Sequence, residues 1–460
     1  MASTSLKPDQ ITTEQAASPN LRIRIVGAGI AGLATALACC KAGFTNVVIY
    51  ETVPEIAEVG AGIQVAPNQS RILRRLGVLD ALAPSAVALK RNSLRRYAND
   101  EELGTASFAA IEDTYGAPLW VVHRADLQRV LLEGAKAAGV EIRTGSKVTD
   151  VDFEGTRVLV ETDKGEQWEG GDVVVAADGI KSTVRSKLAG MHGIEDKGRA
   201  TGDAAYRILI PREKLEDHPE LLELVKGDLG IRWMGPGGHI MAYPIKDHSL
   251  YNMVLLHPDV NNTSESWTSK GSKSQMLDFY SEWNPLVQKL LAFVHEDDVM
   301  EWKLMDHEKL PSWVEEKTVL VGDACHPMLP YVAQGAAQAI EDGAVLAAAL
   351  SAVEDLVQLP NALQLYQEVR KARAEAIQAS AADTRIALHL PDGKKQEERD
   401  DKIRQAARGE GGNPDKWSDP AWQRFMWSTD VVVQTLERVH EIKTARQKHE
   451  EVPLPSGVVA

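Results

Sequence analysis

Gly27, Gly29 and Gly32, followed by Glu51, are residue types whose spacing suits a pyrophosphate and its sugar. The first glycine permits a tight turn, the second lets backbone approach a phosphate, and the third lets a helix pack on a strand. A helix starting there offers unpaired N–H groups to the anion, and the Glu51 carboxylate can accept a hydrogen bond from a ribose hydroxyl. Two further stretches place an acid where an apolar run ends. One is Asp178-Gly179 in "DVVVAADGIKSTVR", ahead of the basic Lys181 and Arg185. The other is Asp323 in "VLVGDACHPMLPYVAQGAAQAIEDG", where a proline-rich turn leads to a helix start near Gly335. Such a place suits a ligand that carries hydroxyls and also has negative charge to be stabilised. Arg124 in "HRADLQ" opens another helix, from which it can reach a phosphate.

Absences narrow the ligand. "GPGGH" (Gly235 to His239) has the wrong spacing, so there is no second glycine fingerprint. The three cysteines, Cys39, Cys40 and Cys325, form no redox pair, disulfide framework or zinc motif. One dinucleotide site leaves FAD as a fixed cofactor, or NAD in an ordinary dehydrogenase.

These residues can meet only if the chain builds a parallel sheet. "LRIRIV" reads as a strand entering a buried sheet, "GAGIAGLATALACCKAG" as a small-residue helix and "NVVIYE" as a second strand. That is a βαβ unit with a right-handed crossover. A helix is expected over "PNQSRILRRLGVLDAL", with Ile72, Leu73, Leu76 and Leu79 on one face. "PLWVVHR" reads as a strand before the helix "ADLQRVLLEGAKAAG", and strands follow in "EIRTGSKVTDVDFEG", "TRVLVETDKGEQWEG" and "DVVVAADG". From about Thr201 to Trp302 the runs "AAYRILI", "GGHIMAYPI" and "LYNMVLLH" indicate an antiparallel sheet in a separate layer. "KTVLVGDA" returns to the parallel style, and "GAVLAAALSAV" and "LQLYQEVRKARAEAIQASAADTRI" are helical. The charged stretch "DGKKQEERDDKIRQAARGEGGNPDK" is expected as loop or exposed helix. "DPAWQRFMWSTDVVVQTLERVHEI" is expected as a single final helix with an aromatic face.

A chain of 460 residues exceeds what one core usually carries, so two domains, or one with a large insertion, are expected. The net charge of −15 argues against a basic face for nucleic acid or anionic lipid. No run approaches the roughly 18 apolar residues of a membrane span, and the polar start lacks a secretory core. A cytoplasmic protein with no membrane or nucleic-acid partner is expected, with monomer and dimer both open.

In this order, "GAGIAG" with Glu51, "AADGIKSTVR" and "LVGDACHPMLPYVAQGAAQAIEDG" resemble the single-component FAD-dependent aromatic hydroxylases, the group A flavoprotein monooxygenases. "EVGAGIQVAPNQSRIL", "VVHRADL", "TGDAAYRILIP" and "YQEVRKAR" make the chain most similar to the salicylate-hydroxylase-like branch common in fungi. The similarity runs roughly from Arg22 to Ser380. It implies an α/β fold with an FAD-binding Rossmann-like parallel sheet, an inserted antiparallel β-sheet substrate domain and a helical C-terminus. In those terms residues 1–20 are a disordered polar tail, while 21–95, 120–195 and 306–385 are three parts of the FAD-binding domain. Residues 96–119 are an insertion of the substrate layer, 196–305 the antiparallel substrate domain and 386–460 a C-terminal helical segment. The resemblance further implies that Asp323 bonds a ribityl hydroxyl and that Gly335 and Ala336 bring N–H groups to the isoalloxazine carbonyl edge. Pro327 and Pro330 hold the turn along the flavin face, and Arg124, Glu51 and Gly62 complete the FAD contacts. Asp178-Gly179 resembles a motif serving both FAD and NAD(P)H. Tightly bound FAD is the implied cofactor and NADH or NADPH the co-substrate. A small aromatic compound and O₂ are the other reactants, and no metal is implied.

In such enzymes NAD(P)H reduces the flavin, and O₂ then gives a flavin C4a-hydroperoxide that must be kept from water. The antiparallel layer is the expected cover. A phenol becomes electron-rich on losing its proton, which a nearby cation favours. Arg207 in "AAYRILI" and Tyr243 in "HIMAYPI", expected on neighbouring strands of the cover, are the candidates for facing the substrate. The bland alternatives are a structural ion pair for Arg207 and a core role for Tyr243. His326 beside the turn could act as base, although a backbone-bonded turn histidine is the plainer reading. His239 and His248 are further candidates. The expected reaction is hydroxylation of a phenolic ring, foremost a salicylate-type hydroxybenzoate. Competing readings are a fungal secondary-metabolite oxygenase for a bulkier polyketide phenol or indole, a flavoprotein reductase without oxygenase chemistry, and a plain NAD dehydrogenase.

Overall fold

The structure, a computed structural model, describes residues 10–12, 15–56, 60–259 and 269–448. Arg22–Val26 is an inner strand of a six-stranded sheet, with Ile23 and Ile25 fully buried. Asn46–Tyr50 and Val173–Ala176 run parallel to it on either side. Thr318–Leu320 and Glu141–Arg143 continue the parallel order, and Val314–Glu315 closes one edge antiparallel. The helix Ile30–Lys41 follows the glycine turn and packs against the helix Gly335–Leu350. In the latter every residue from Ala337 to Leu350 is buried. Its alanines and Gly343 let it sink that deep, for a Cβ on Gly343 would lie 2.8 Å from Thr35 Cα.

The second large sheet has eight strands. Their order is Ser269–Lys270, Met300–Asp306, Arg199–Pro211, Leu250–Pro258, Gly238–Ile245, Leu229–Gly235, Arg91–Arg96 and Glu102–Ser107. It is antiparallel except where Leu229–Gly235 runs parallel to Arg91–Arg96. One face packs on the helices Pro219–Lys226, Lys273–Phe279 and Pro285–Ala292 around Trp233, Tyr251 and Tyr280. The other looks toward the parallel layer and the C-terminal helices. Lys147–Asp152, Arg157–Thr162 and Gly165–Gly170 form a separate three-stranded meander, and Gly62–Val65 pairs with Trp120–His123. Among the described residues no helix is long and apolar enough to cross a membrane.

Several expectations need correction. Arg199–Pro211 and Gly238–Ile245, which carry Arg207 and Tyr243, are not neighbours, because Leu250–Pro258 lies between them. Alternation reveals which face a strand buries, not which strand lies beside it. The helix from Pro67 stops at Leu76, where Gly77 adopts a left-handed φ of +75°. The single final helix is two, Pro420–Trp427 and Val431–Lys448. Asp430 accepts from Val433 N–H at 3.3 Å at the second start, and Arg71 and Arg75 of the Pro67–Leu76 helix clamp the break. The charged stretch forms the helix Lys394–Ala407, which is not merely exposed, since Ile403 is buried against Gly104. In the expected tail, Ile11 is buried and Ala16 N–H donates to the Ala42 carbonyl at 2.8 Å; residues 1–9, 13 and 14 lie outside the described part.

Candidate active site

The turn at Gly27 starts the site. Its φ of +96° suits only glycine, and its N–H donates to the Tyr50 carbonyl at 2.8 Å. A Cβ on Gly32 would sit 1.9 Å from the Gly27 carbonyl oxygen, so packing alone demands this glycine. At Gly29 a Cβ would meet nothing within 4 Å, yet the residue lines a cavity of ≈ 350 Å³. Its missing side chain leaves a cradle that the protein does not fill, as close approach of a pyrophosphate requires. Glu51 accepts from the N–H groups of Ala28 at 2.7 Å and Val53 at 3.0 Å, behind the cavity wall.

Gly62, Arg124, Asp323, Pro330, Gly335 and Ala336 all reach the cavity. A Cβ on Gly62 would lie 2.6 Å from Asn252 and 2.8 Å from Tyr243, so the glycine lets the cover sheet come close. Burial pulls the Arg124 guanidinium down, and Asp323 partly restores it. Asp178 does not line the cavity, although Ala177 and Gly179 beside it do. Its Oδ2 accepts from Thr183 N–H at 2.9 Å, its buried Oδ1 has no partner, and burial raises the carboxyl. Arg185, in the basic stretch after Asp178-Gly179, is fully buried. It pairs with Asp196 at 2.9 Å and donates to the carbonyls of Ala324 and Cys325, thereby holding the Asp323 turn from behind.

That turn ends with Ala333 in a left-handed conformation, φ +53°, and the helix Gly335–Leu350 begins two residues later, its first N–H groups at the cavity wall. Beneath it lies a buried network of charges. Arg370 and Arg373 pair with Glu341, Arg370 also with Asp342 at 2.8 Å, and His326 Nε2 donates to Asp342 at 2.5 Å. Burial opposes the charge on His326, but Asp342 overrides it and holds the imidazolium well above its usual range. His326 therefore supports the helix and is no base for the cavity. Cys325, His326 and Asp342 bring ligand atoms within 4.8 Å of one another, but Asp342 already accepts from His326, Arg370 and Gly322 N–H. His248 is remote and pairs with Asp228 at 3.0 Å.

The cover sheet supplies the opposite wall. Arg207, Val254, Met241 and Arg232 stand in one cross-strand row, with Tyr243 and His239 on the same face two residues to either side of Met241. All six line the cavity. Arg207 has no carboxylate within ion-pair reach among the described residues; its guanidinium lies 5.1 Å from the Trp302 ring centre and its buried Nε has no partner. Burial pulls this cation down. Arg232, by contrast, is neutralised by Asp415 at 2.6 Å. Burial pushes the Tyr243 phenol up, out of reach of ionisation at neutral pH. His239 Nδ1 lies 2.8 Å from Nε2 of His389. Arg232 and His389 were not singled out from the sequence; an arginine inside the apolar "LGIRWMG" was the one signal present.

Residues 20–381 match the FAD binding domain family. The chain is 40% identical over 422 residues to an FAD-dependent monooxygenase of Arthrinium sp, across 91% of this chain and 96% of that one. It is 34% identical to 3-hydroxybenzoate 6-hydroxylase 1 of Aquipseudomonas alcaligenes, across 77% of this chain and 86% of that one. A solved salicylate hydroxylase substrate complex shares the fold with a TM-score of 0.74 and 23% identity, over 91% of this chain and 98% of that one.

Proposed function

The chain belongs to the FAD binding domain family and is an FAD-dependent monooxygenase, and from that premise we propose that it hydroxylates a phenolic acid of the hydroxybenzoate type with NADH or NADPH as hydride donor. The observation that carries the substrate class is Arg207, a cavity-facing cation with no acid of its own among the described residues. A carboxylate or phenolate brought by the substrate would supply the missing partner.

FAD, when bound, supplies hydride acceptance and oxygen activation. The chain's own residues do the rest. Gly29 and the first turn of Ile30–Lys41 would hold the pyrophosphate, Glu51 a ribose hydroxyl and Asp323 a ribityl hydroxyl. Gly27 and Gly32 shape this turn, while Gly62, Arg124 and Pro330 would border the cofactor and Asp178 would act from behind the wall that Ala177 and Gly179 form. The N-terminus of Gly335–Leu350, worth about half a positive charge, would steady anionic charge at the ring edge beside Gly335 and Ala336. Across the cavity Arg207 would fix the substrate's anionic group, and Tyr243 would offer a neutral hydroxyl. Burial keeps His239 well below its ordinary range, so it is an unprotonated base at neutral pH. With Nδ1 turned to His389, its Nε2 is the atom that would take the phenolic proton. The apolar Met241, Val254 and Leu256 exclude water around these groups.

The test is NADH and NADPH oxidation by purified enzyme with salicylate, 3-hydroxybenzoate and larger neutral phenols, with products read by mass. Phenolic acids are expected to stimulate oxidation and gain one oxygen atom. Stimulation only by fused, neutral phenols would remove the acid-substrate reading. Replacing Arg207 by Met should weaken binding of the phenolic acid roughly 10- to 100-fold, the worth of a charge-assisted hydrogen bond, and raise peroxide formation. Unchanged binding would return Arg207 to a structural role.

A further inference from the structure

The cavity is built with more positive charge than it keeps. Arg124, Arg207 and Arg232 all reach its wall. Arg124 has Asp323 within electrostatic reach at the cofactor end. Arg207 and Arg232 belong to the cover sheet and stand at opposite ends of the row Arg207, Val254, Met241, Arg232. Three strand spacings of roughly 4.8 Å put their Cα atoms about 14 Å apart, so groups on two sides of one aromatic ring can address both. Val254 and Met241 between them offer nothing to a charge.

The two cations differ in what stands behind them. Arg207 has no carboxylate within ion-pair reach among the described residues, only the Trp302 ring. Arg232 Nη1 donates to Asp415 Oδ1 at 2.6 Å, and both side chains are buried. The acid is held as firmly as the base. Asp415 Oδ1 also accepts from Trp417 N–H at 3.2 Å and Oδ2 from the Ser418 hydroxyl at 2.7 Å, while its own N–H donates to Asn413 Oδ1 at 2.9 Å. Trp417 lies 5.5 Å from the guanidinium and shares an apolar cluster with Ile377, Ala381 and Leu388 of the long helix Leu359–Leu388. Asn92 of the strand Arg91–Arg96 reaches Ser418 at 3.4 Å, so the cover sheet itself grips this turn. Three donors thus fix one carboxylate against one guanidinium. The atom of Arg232 left without a partner is Nε. A neutral acceptor such as an amide or ketone oxygen suits it. A second anion does not, because Asp415 already compensates the charge.

We propose that Asp415 sets the charge of the substrate that the enzyme accepts. By neutralising Arg232 it leaves Arg207 as the one uncompensated cation of the substrate wall among the described residues. The cavity is thereby restricted to phenolic acids with a single negative charge and a neutral far end. This rests on the phenolic-acid reading above. A diacid would pair one carboxylate with Arg207 and bury the other against an ion pair, Met241 and Val254, where an unpaired charge is costly. Such selectivity works by leaving the wrong ligand's charge unanswered. Asp415 itself does not line the cavity, so it is a positioning residue acting through Arg232. Arg232 Nη2 also donates to the Tyr331 carbonyl at 3.4 Å, in the turn ahead of Gly335. A bracing role alone would therefore weaken all ligands together, whatever their charge.

The experiment uses the FAD-loaded full chain and two probes of one shape. These are 5-hydroxyisophthalate, with two carboxylates, and 3-carbamoyl-5-hydroxybenzoate, in which one of them is an amide. Dissociation constants are read from the change in flavin absorbance on binding. Wild type is expected to bind the amide roughly tenfold or more tightly than the diacid. Asp415→Asn keeps acceptors for Arg232 and Trp417 N–H but frees the cation's charge. It should bind the diacid more tightly and lower the ratio of the two constants roughly tenfold or more. The double variant Arg232→Gln, Asp415→Asn removes both charges and should return the ratio to the wild-type value. Equal binding of both probes by wild type, an unchanged ratio in Asp415→Asn, or a double variant that keeps the ratio of the single one overturns the proposal and leaves the hydroxylase reading intact. Failure of wild type to bind any phenolic acid, 3-hydroxybenzoate included, sinks the underlying reading first. If Asp415→Asn does not fold, or both larger probes are shut out, Arg232→Gln decides with small ones. Its uncompensated Asp415 should weaken 3-hydroxybenzoate roughly tenfold more than neutral 3-hydroxybenzamide, and an equal loss of both refutes the charge role.

Discussion

Gly29 and Gly32 stand one helical turn apart and answer to different demands. At Gly32 a methyl group would strike a backbone carbonyl at 1.9 Å, and no rotamer can relieve that. Gly32→Ala should therefore fail to accumulate as folded protein. At Gly29 the same methyl meets no protein atom within 4 Å. Gly29→Ala should melt like wild type without cofactor, yet hold FAD roughly 10- to 100-fold more weakly, the cost of overpacking a closely approached surface. Melting of the stripped protein and fluorescence titration with FAD separate the two effects. Undiminished affinity in Gly29→Ala would mean that the cradle holds nothing. Arg370 behaves differently again. It is fully buried between Glu341 and Asp342, so Arg370→Met should cost roughly 3–5 kcal/mol by leaving buried carboxylates short of a partner. Urea unfolding reads this loss directly.

At the scale of elements, the crossing of Ile30–Lys41 and Gly335–Leu350 decides where the second helix aims its N-terminus. Gly343→Ala gains about 1 kcal/mol of helix propensity. Against that, its Cβ would lie 2.8 Å from both Cα and N of Thr35, backbone that cannot swing aside. Overpacking of this kind costs roughly 1–3 kcal/mol, so a net loss of stability is expected, with weaker FAD retention as the helix start shifts. A gain in urea stability would mean that the helices are not locked at this distance. The same crossing explains what could be read in advance. The glycine turn, the strands around it and the helix at Gly335 announce themselves locally, through apolar runs and glycine spacing that need no distant partner. Arg232 does not, because both faces of Leu229–Gly235 are covered and its burial pattern shows no alternation, while its partner Asp415 lies in a remote turn. His389 gains meaning only from Gly237, His239 and Asp203, which the fold brings to it. The break at Asp430 carried a local capping signal, but Arg75, at 2.6 Å, comes from a helix near the other end of the chain.

Across the whole molecule, the cover sheet, the long helix and the turn before Gly335 meet at one joint, where Asp203 binds Arg385, His389 and Tyr331. Acid should loosen it. His389 is lowered by burial from an ordinary 6.5 to about 4, so between those values the unfolded chain binds the extra proton and stability falls as pH falls. Integrated from pH 7 to 5, this one group costs about 2 kcal/mol, since a tenfold difference in proton affinity is worth about 1.4 kcal/mol. His239, also lowered by burial, acts in the same direction. Asp178, Asp323 and Glu301 are raised by burial and oppose this slope, so the comparison with a His389 variant isolates the one group. Burial opposes ionisation of Asp196 and Asp342, but His307 and Arg185 for the first, and His326 and Arg370 for the second, hold them near 2. Their contribution is lost only below the usual carboxylate range. His326 is raised, so its contribution is complete below about pH 6.5 and is lost as pH rises through its elevated value. Urea unfolding should therefore show a change in stability from pH 7 to pH 5 that is less favourable by about 2 kcal/mol in wild type than in His389→Gln. Equal slopes in the two proteins would mean that His389 is not held neutral at the joint.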